Sequence, residues 1–155
     1  AGAADRAEGG VQAMLDDAAC AVMTLNGGSA VPLWNTWLDG MQEAAPEDGE
    51  IDVPGLQAVF AKGLEELGDM SGAQVGDKTM MDALIPASEA IAAYEGADEG
   101  GLFAAAAQAA MEGAEATRQF VSKFGRAKSY GEKTIGTPDA GAMSMAYFFQ
   151  GLARP

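Results

Sequence analysis

LFAAAAQAAMEGAEATRQFVSKF, residues 102–124, is the stretch whose reading decides the class of fold. Alanine is the strongest helix former, and nothing in this run is Pro or a cluster of β-branched residues. The run therefore predicts one long helix from Leu102 to about Phe124. Its small side chains would let neighbouring helices approach closely.

Apolar spacing at helical period extends this reading to five further segments. The first covers about Val11 to Leu25, with Val11, Met14, Leu15, Ala18, Val22 and Leu25 on one face, and Asn26-Gly27-Gly28 stops it. The second begins after Ser29, which would cap it, and carries Pro32 in its first turn, where a missing N–H does no harm. The third runs from about Pro54 to Leu67 and the fourth from about Thr79 to Tyr94, with Pro86 expected to kink it. The sixth begins near Asp139 and ends at Leu152, after a long polar loop, Gly125 to Pro138. Short connections imply antiparallel neighbours. With 155 residues and no linker or internal repeat, a single all-α domain over residues 1–155 is the expectation.

Composition excludes several classes of function. A net charge of −14 opposes nucleic-acid binding, which needs a basic face. No apolar run reaches the ~18 residues of a membrane span. The opening AGAADRAEGG does not read as a signal peptide, and without an initiator Met the chain reads as part of something longer. A lone cysteine, Cys20, fits a reducing, cytoplasmic setting. The absence of histidine removes His-based nucleophile activation and His-ligated zinc.

Three short stretches carry the functional signal. Gly72-Ala73-Gln74-Val75-Gly76-Asp77-Lys78-Thr79 approaches a phosphate-binding P-loop but has the wrong glycine spacing, an Asp before the lysine and no preceding strand. A capped helix start, with Asp77 or Thr79 accepting free N–H groups, explains it better. Five of the nine basic residues, Arg118, Lys123, Arg126, Lys128 and Lys133, fall within positions 118–133, opposed there only by Glu132. Helix-dipole complementation would account for Arg118 and Lys123. The three in the loop favour an anion site, with Arg126 the residue best suited to clamp a phosphate. Gly27-Gly28-Ser29 opening a helix is a weaker anion seat. Trp34, Trp37, Tyr147, Phe148 and Phe149 are most simply core, and the acidic clusters near residues 47–52 and 95–99 are most simply solvated turns.

GDKTMMDALIPA (residues 76–87), followed by GRAKSYGEKTIGTPDAGA (residues 125–142) and preceded by GGSAVPL (residues 27–33), resembles the L subunit or L domain of dihydroxyacetone kinases. The likeness runs from about Val11 to the C-terminus. It implies an antiparallel up-and-down helical barrel or bundle of eight helices, of which this chain supplies about six. It also implies binding of ADP or ATP through Gly28, Ser29, Ala30, Ser71, Thr79, Met80, Arg126, Asp139, Ala140 and Gly141. Phosphoryl transfer would then go to dihydroxyacetone held on a partner K subunit or domain. The donor would be free ATP or a phosphotransferase-system protein, and a homodimer is compatible with the likeness. In the family, Mg2+ held by an Asp-rich loop bridges the phosphates; that loop has no counterpart here, so the sequence offers no metal ligands and no catalytic residue by name. The turn at Ser29-Ala30-Val31 and the Thr137-Pro138-Asp139 segment both depart from the family wording. Those departures support a rival reading, a non-catalytic helical scaffold or regulatory relative. A helical module for an apolar ligand is a third.

Overall fold

A computed structural model of the chain describes residues 10–154 apart from residue 48. It contains six α-helices: α1 (Val11–Met23), α2 (Ala30–Ala44), α3 (Val53–Ser71), α4 (Met81–Ala92), α5 (Glu99–Ala116) and α6 (Ala140–Leu152). Two 3-10 segments, Thr117–Gln119 and Arg126–Thr134, lie between α5 and α6. No strand occurs among the described residues, so the all-α expectation holds. None of these helices is long and apolar enough to cross a membrane. Packing separates the chain into two compact units that divide between Gly72 and Ala73.

In the first unit, α2 packs against both α1 and α3. Trp37 of α2 is fully buried, edge-on to Trp34 at 5.5 Å and tilted against Phe60 of α3 at 6.1 Å. The two helices meet at Gly63, where an added Cβ would stand 2.9 Å from the Trp37 carbonyl oxygen. The Asn35 amide donates to the Ala19 carbonyl of α1 at 3.2 Å. Asp52 caps α3 by accepting from the Gly55 N–H at 2.9 Å, and Gly72 ends it in a left-handed conformation.

In the second unit α5 is the centre, packing against α4 and α6, which also touch each other. Its buried face is almost all alanine: Ala106, Ala107, Ala110 and Ala114, below Leu102. The larger side chains come from its neighbours, with Met81, Leu84 and Ile91 on α4 and Met145 and Phe149 on α6 all buried. Asp98 caps α5 through the Gly101 N–H at 2.6 Å. Pro86 sits within α4 without ending it. Lacking an N–H, it leaves the Asp82 carbonyl without its partner four residues on. That carbonyl faces Gly113 of α5, where a Cβ would run directly into its oxygen.

Two helix ends differ from the sequence reading: α3 runs on past Leu67 to Ser71, and α5 stops short. α5 ends at Ala116, not near Phe124. The Thr117 hydroxyl turns back to the Ala114 carbonyl at 2.5 Å. The Thr117 carbonyl accepts from the Lys78 ammonium and from Phe120 N–H, so the chain tightens into a 3-10 turn in place of another α-helical one. Ser29 precedes α2, but its side chain makes no capping hydrogen bond.

The packing predicts opposite outcomes for two glycine substitutions. Gly113→Ala forces a methyl group onto a backbone oxygen and should destabilise the protein by about 1–3 kcal/mol or more. Gly68→Ala, in α3 with nothing within 4 Å of the new methyl, should stabilise it by about 0.5–1 kcal/mol. Urea denaturation of both variants checks the pair.

Candidate functional site

The turn that leads into α4 is held by the carboxylate of Asp82, which is fully buried. One oxygen accepts from the Gly76 N–H at 2.6 Å and the other from the Thr79 N–H at 2.7 Å. The Thr79 hydroxyl accepts from the Met81 N–H at 3.2 Å, so Thr79 does cap the helix start. Asp77 accepts from the Gln74 N–H at 2.9 Å, closing the preceding turn. Between them, Lys78 takes a left-handed backbone conformation, φ 61°, the one non-glycine residue to do so among those described.

Lys78 is 4% exposed. Its ammonium donates to three backbone carbonyls: Thr117 at 2.7 Å, Thr134 at 2.7 Å and Thr137 at 2.6 Å. Burial pushes its pKa below the ordinary lysine value; Asp139 and Asp82 act against that shift, and Arg118 acts with it. The same region is stitched at other points. The Lys123 N–H donates to the Asp77 carbonyl at 3.1 Å, and the Lys123 ammonium pairs with the Asp77 carboxylate at 2.6 Å. The Asp139 N–H donates to the Thr117 hydroxyl at 2.8 Å, and the Gly136 N–H to the Arg118 carbonyl at 2.7 Å. Within the loop, the Thr134 hydroxyl accepts from the Ser122 N–H at 3.1 Å and donates to the Gly131 carbonyl at 2.7 Å. Gly131, at φ 53° and ψ −131°, breaks the 3-10 segment where a side chain would be strained.

The anchored inner edge leaves a basic outer edge. Arg118 pairs with Glu115 at 2.5 Å and Lys123 with Asp77. Arg126, Lys128 and Lys133 are exposed and make no ion pair among the described residues. Arg118 stands at the C-terminal end of α5, where its charge also complements the helix dipole, whereas Lys123 lies beyond the helix and is matched by Asp77. The three loop cations stand available to an anion, which suits phosphate groups in a chain of net −14.

Asp139 caps α6 by accepting from the Ala142 N–H at 2.9 Å, and burial raises its pKa above the usual carboxylate value. Gly141 lies against Met80: a Cβ there would sit 3.4 Å from the Met80 Cβ and backbone nitrogen. The second unit thus brings Thr79 and Met80 together with Asp139, Ala140 and Gly141 at the start of α6, and carries Arg126 on the loop just before them. Met80 is buried and Ala140 exposed. Gly28, Ser29 and Ala30 are exposed at the start of α2, and Ser71 is the last residue of α3; all four belong to the first unit. Among the described residues no three His, Cys, Asp or Glu side chains are placed to hold a metal ion. The described residues therefore supply no cluster to hold a resident Mg2+. Sequence reasoning missed Lys78. Its one signal is a charged residue set between a capping Asp and a buried Met-Met pair.

This arrangement of helices and loops has counterparts. The sequence matches the DAK2 domain family over residues 1–154, and the chain belongs to that family. It is 35% identical over 127 residues to the L-erythrulose 1-kinase of Mycolicibacterium smegmatis, covering 81% of this chain and 22% of the relative. It is 32% identical over 119 residues to the ADP-binding subunit DhaL of PEP-dependent dihydroxyacetone kinase 2 from Listeria innocua serovar 6a, covering 76% of this chain and 55% of that subunit. The crystal structure of the dihydroxyacetone kinase of C. freundii in its native form superimposes with a TM-score of 0.67 at 25% identity, over 92% of this chain and 23% of that one. The same kinase in complex with AMP-PNP and Mg2+ gives a TM-score of 0.65 at 24% identity, over 93% and 23%. The chain thus spans from about a fifth to just over half the length of these relatives.

Two outcomes follow from the site's geometry. Asp82→Asn sets an amide NH2 against one of two backbone N–H donors, and should cost about 1–3 kcal/mol of stability by urea denaturation. The second concerns pH. The Lys123 hydrogen bond, and then the Gln74 N–H, lower the Asp77 pKa in the folded protein below the ordinary aspartate value of 3.8. The stability this adds is full above the unfolded value and is lost as pH falls through the folded one. Lys123→Gln should therefore lower the melting temperature slightly at pH ~7, and the gap from wild type should close as the solution is acidified below pH ~3.8.

Proposed function

We propose that this chain is the nucleotide-binding L-type unit of a kinase acting on dihydroxyacetone or a related short-chain ketose. The observation that carries the reading is the Gly125–Gly141 segment. Its inner edge is fixed by buried hydrogen bonds, and its outer edge presents Arg126, Lys128 and Lys133 free of carboxylates. Phosphoryl transfer requires positioning and charge neutralisation more than a protein nucleophile, which suits a chain without histidine. ADP or ATP supplies the phosphoryl chemistry when bound. Arg126 would clamp phosphate oxygens bidentately, Thr79 and Met80 would border the nucleotide, and Asp139 would fix the start of α6 beside it. Gly28, Ser29, Ala30 and Ser71, which lie in the first unit, enter the nucleotide-binding reading on family likeness alone.

A DhaL relative named as the ADP-binding subunit of a PEP-dependent kinase supports ADP as the ligand. A relative crystallised with AMP-PNP and Mg2+ supports a magnesium nucleotide. The ketose would be held by a separate K subunit or domain, and the phosphoryl donor would be free ATP or a phosphotransferase-system protein.

Magnesium-ADP should raise the melting temperature, with a stabilisation of about 2.7 kcal/mol at a hundred times the dissociation constant. Arg126→Ala should weaken ADP binding by about 1.5–3 kcal/mol in titration calorimetry, the range for a hydrogen bond to a charged group. Its melting temperature without ligand should be unchanged, because the side chain is exposed. Wild-type protein that gains no stability from magnesium-ADP would support the scaffold reading. A folded Arg126→Ala variant with full affinity would remove Arg126 from the site.

A further inference from the structure

We propose that Lys78 is the positioning residue of this site: without touching the ligand, its ammonium holds the Arg126 loop in the conformation that receives an anion. The inference rests on the nucleotide-binding reading for its ligand, and on the cage alone for its mechanics.

The backbone makes the first case. At φ 61° a residue with a Cβ is strained, and glycine or asparagine would sit there with less cost. Lysine at this position is explained by its side chain. Burying an ammonium is expensive unless every N–H finds an acceptor. Here three N–H groups meet three carbonyls within 2.7 Å. A neutral amine has only two N–H groups, so the cage is complete only with the charged form.

The origin of the three carbonyls makes the second case. Thr117 follows the end of α5, Thr134 closes the 3-10 segment, and Thr137 leads into α6. One atom therefore gathers both ends of the 118–133 segment, which carries Arg126, Lys128 and Lys133, together with the entry to α6. The ion pair across this region, Lys123 with Asp77, has a lysine side chain 62% exposed, and such pairs contribute little. The Ser122–Thr134, Asp139–Thr117 and Gly136–Arg118 hydrogen bonds each join two points, whereas the buried ammonium joins three and so preorganises the loop before Arg126 meets a ligand.

The third case is electrostatic. Lys78 forms no ion pair within 4.0 Å among the described residues. Its charge is met chiefly by dipoles, with Asp139 and Asp82 nearby but not paired to it, so part of it remains beneath the loop to attract a polyphosphate.

The test uses Lys78→Met, which keeps the length and loses the donors, and Lys78→Gly, which also relaxes the backbone and leaves room for n-butylammonium. Hydrogen exchange across residues 118–136, tryptic cleavage at Arg126, Lys128 and Lys133, melting temperature and ADP affinity are measured for each. Both variants should show faster exchange and new cleavage confined to that segment, with the helices still melting cooperatively. ADP affinity should fall about tenfold or more. n-Butylammonium should restore protection and affinity to Lys78→Gly and do nothing for Lys78→Met, whose side chain fills the cage. Lost affinity with an unchanged loop would mean that Lys78 meets the ligand directly, and would overturn the proposal. Unchanged exchange and affinity would overturn it too. So would variants that fail to fold even with the amine, since Lys78 would then be a determinant of the fold itself. If wild-type protein binds no ADP, the functional reading fails on its own; the exchange, cleavage and rescue measurements still decide whether Lys78 holds the loop.

Discussion

Asp82 commits each of its acceptors to a different part of the second unit. Its carboxylate takes the Gly76 and Thr79 N–H groups, which shapes the turn and leaves Lys78 pointing inward. Its carbonyl, deprived of a helical partner by Pro86, faces Gly113 of α5, where no side chain stands in the way. The pairing of α4 with α5 and the direction of the lysine are thus set at one residue. Everything the lysine gathers, from the end of α5 to the start of α6, depends on that placement.

Much of the fold was legible because helices announce themselves locally. All six began within about three residues of where apolar period and caps put them, and Asp139 capped α6 where its sequence position suggested. Reading α5 on to Phe124 failed because propensity says nothing of a distant ammonium. Thr117 leaves the α-helical pattern when its hydroxyl folds back and its carbonyl is claimed from Lys78, 39 residues earlier. Ser29 is the reverse case, a residue of the right type at the right place whose side chain does not cap.

The site divided along the same line. The surplus of positive charge near residues 118–133 was visible as composition, and so was the suitability of Arg126. Which of those charges were already matched was not, because Glu115 and Asp77 become partners only once the chain has turned. The near-P-loop spelling fails on its glycine spacing and Asp77, and Lys78 is passed over with it; its nitrogen binds the protein's own carbonyls, not a phosphate. A motif compares spellings, and a left-handed backbone angle has none.

The cage around Lys78 also bears on how this segment can vary. Its three acceptors are main-chain carbonyls, a group every amino acid supplies. Residues along the loop that make no side-chain hydrogen bonds can therefore be exchanged wherever the path of the chain is kept, without disturbing the anchor. The lysine has no such freedom, since no other side chain offers three donors on a flexible four-carbon stem. Tolerance and constraint are thus placed on opposite sides of the same three hydrogen bonds.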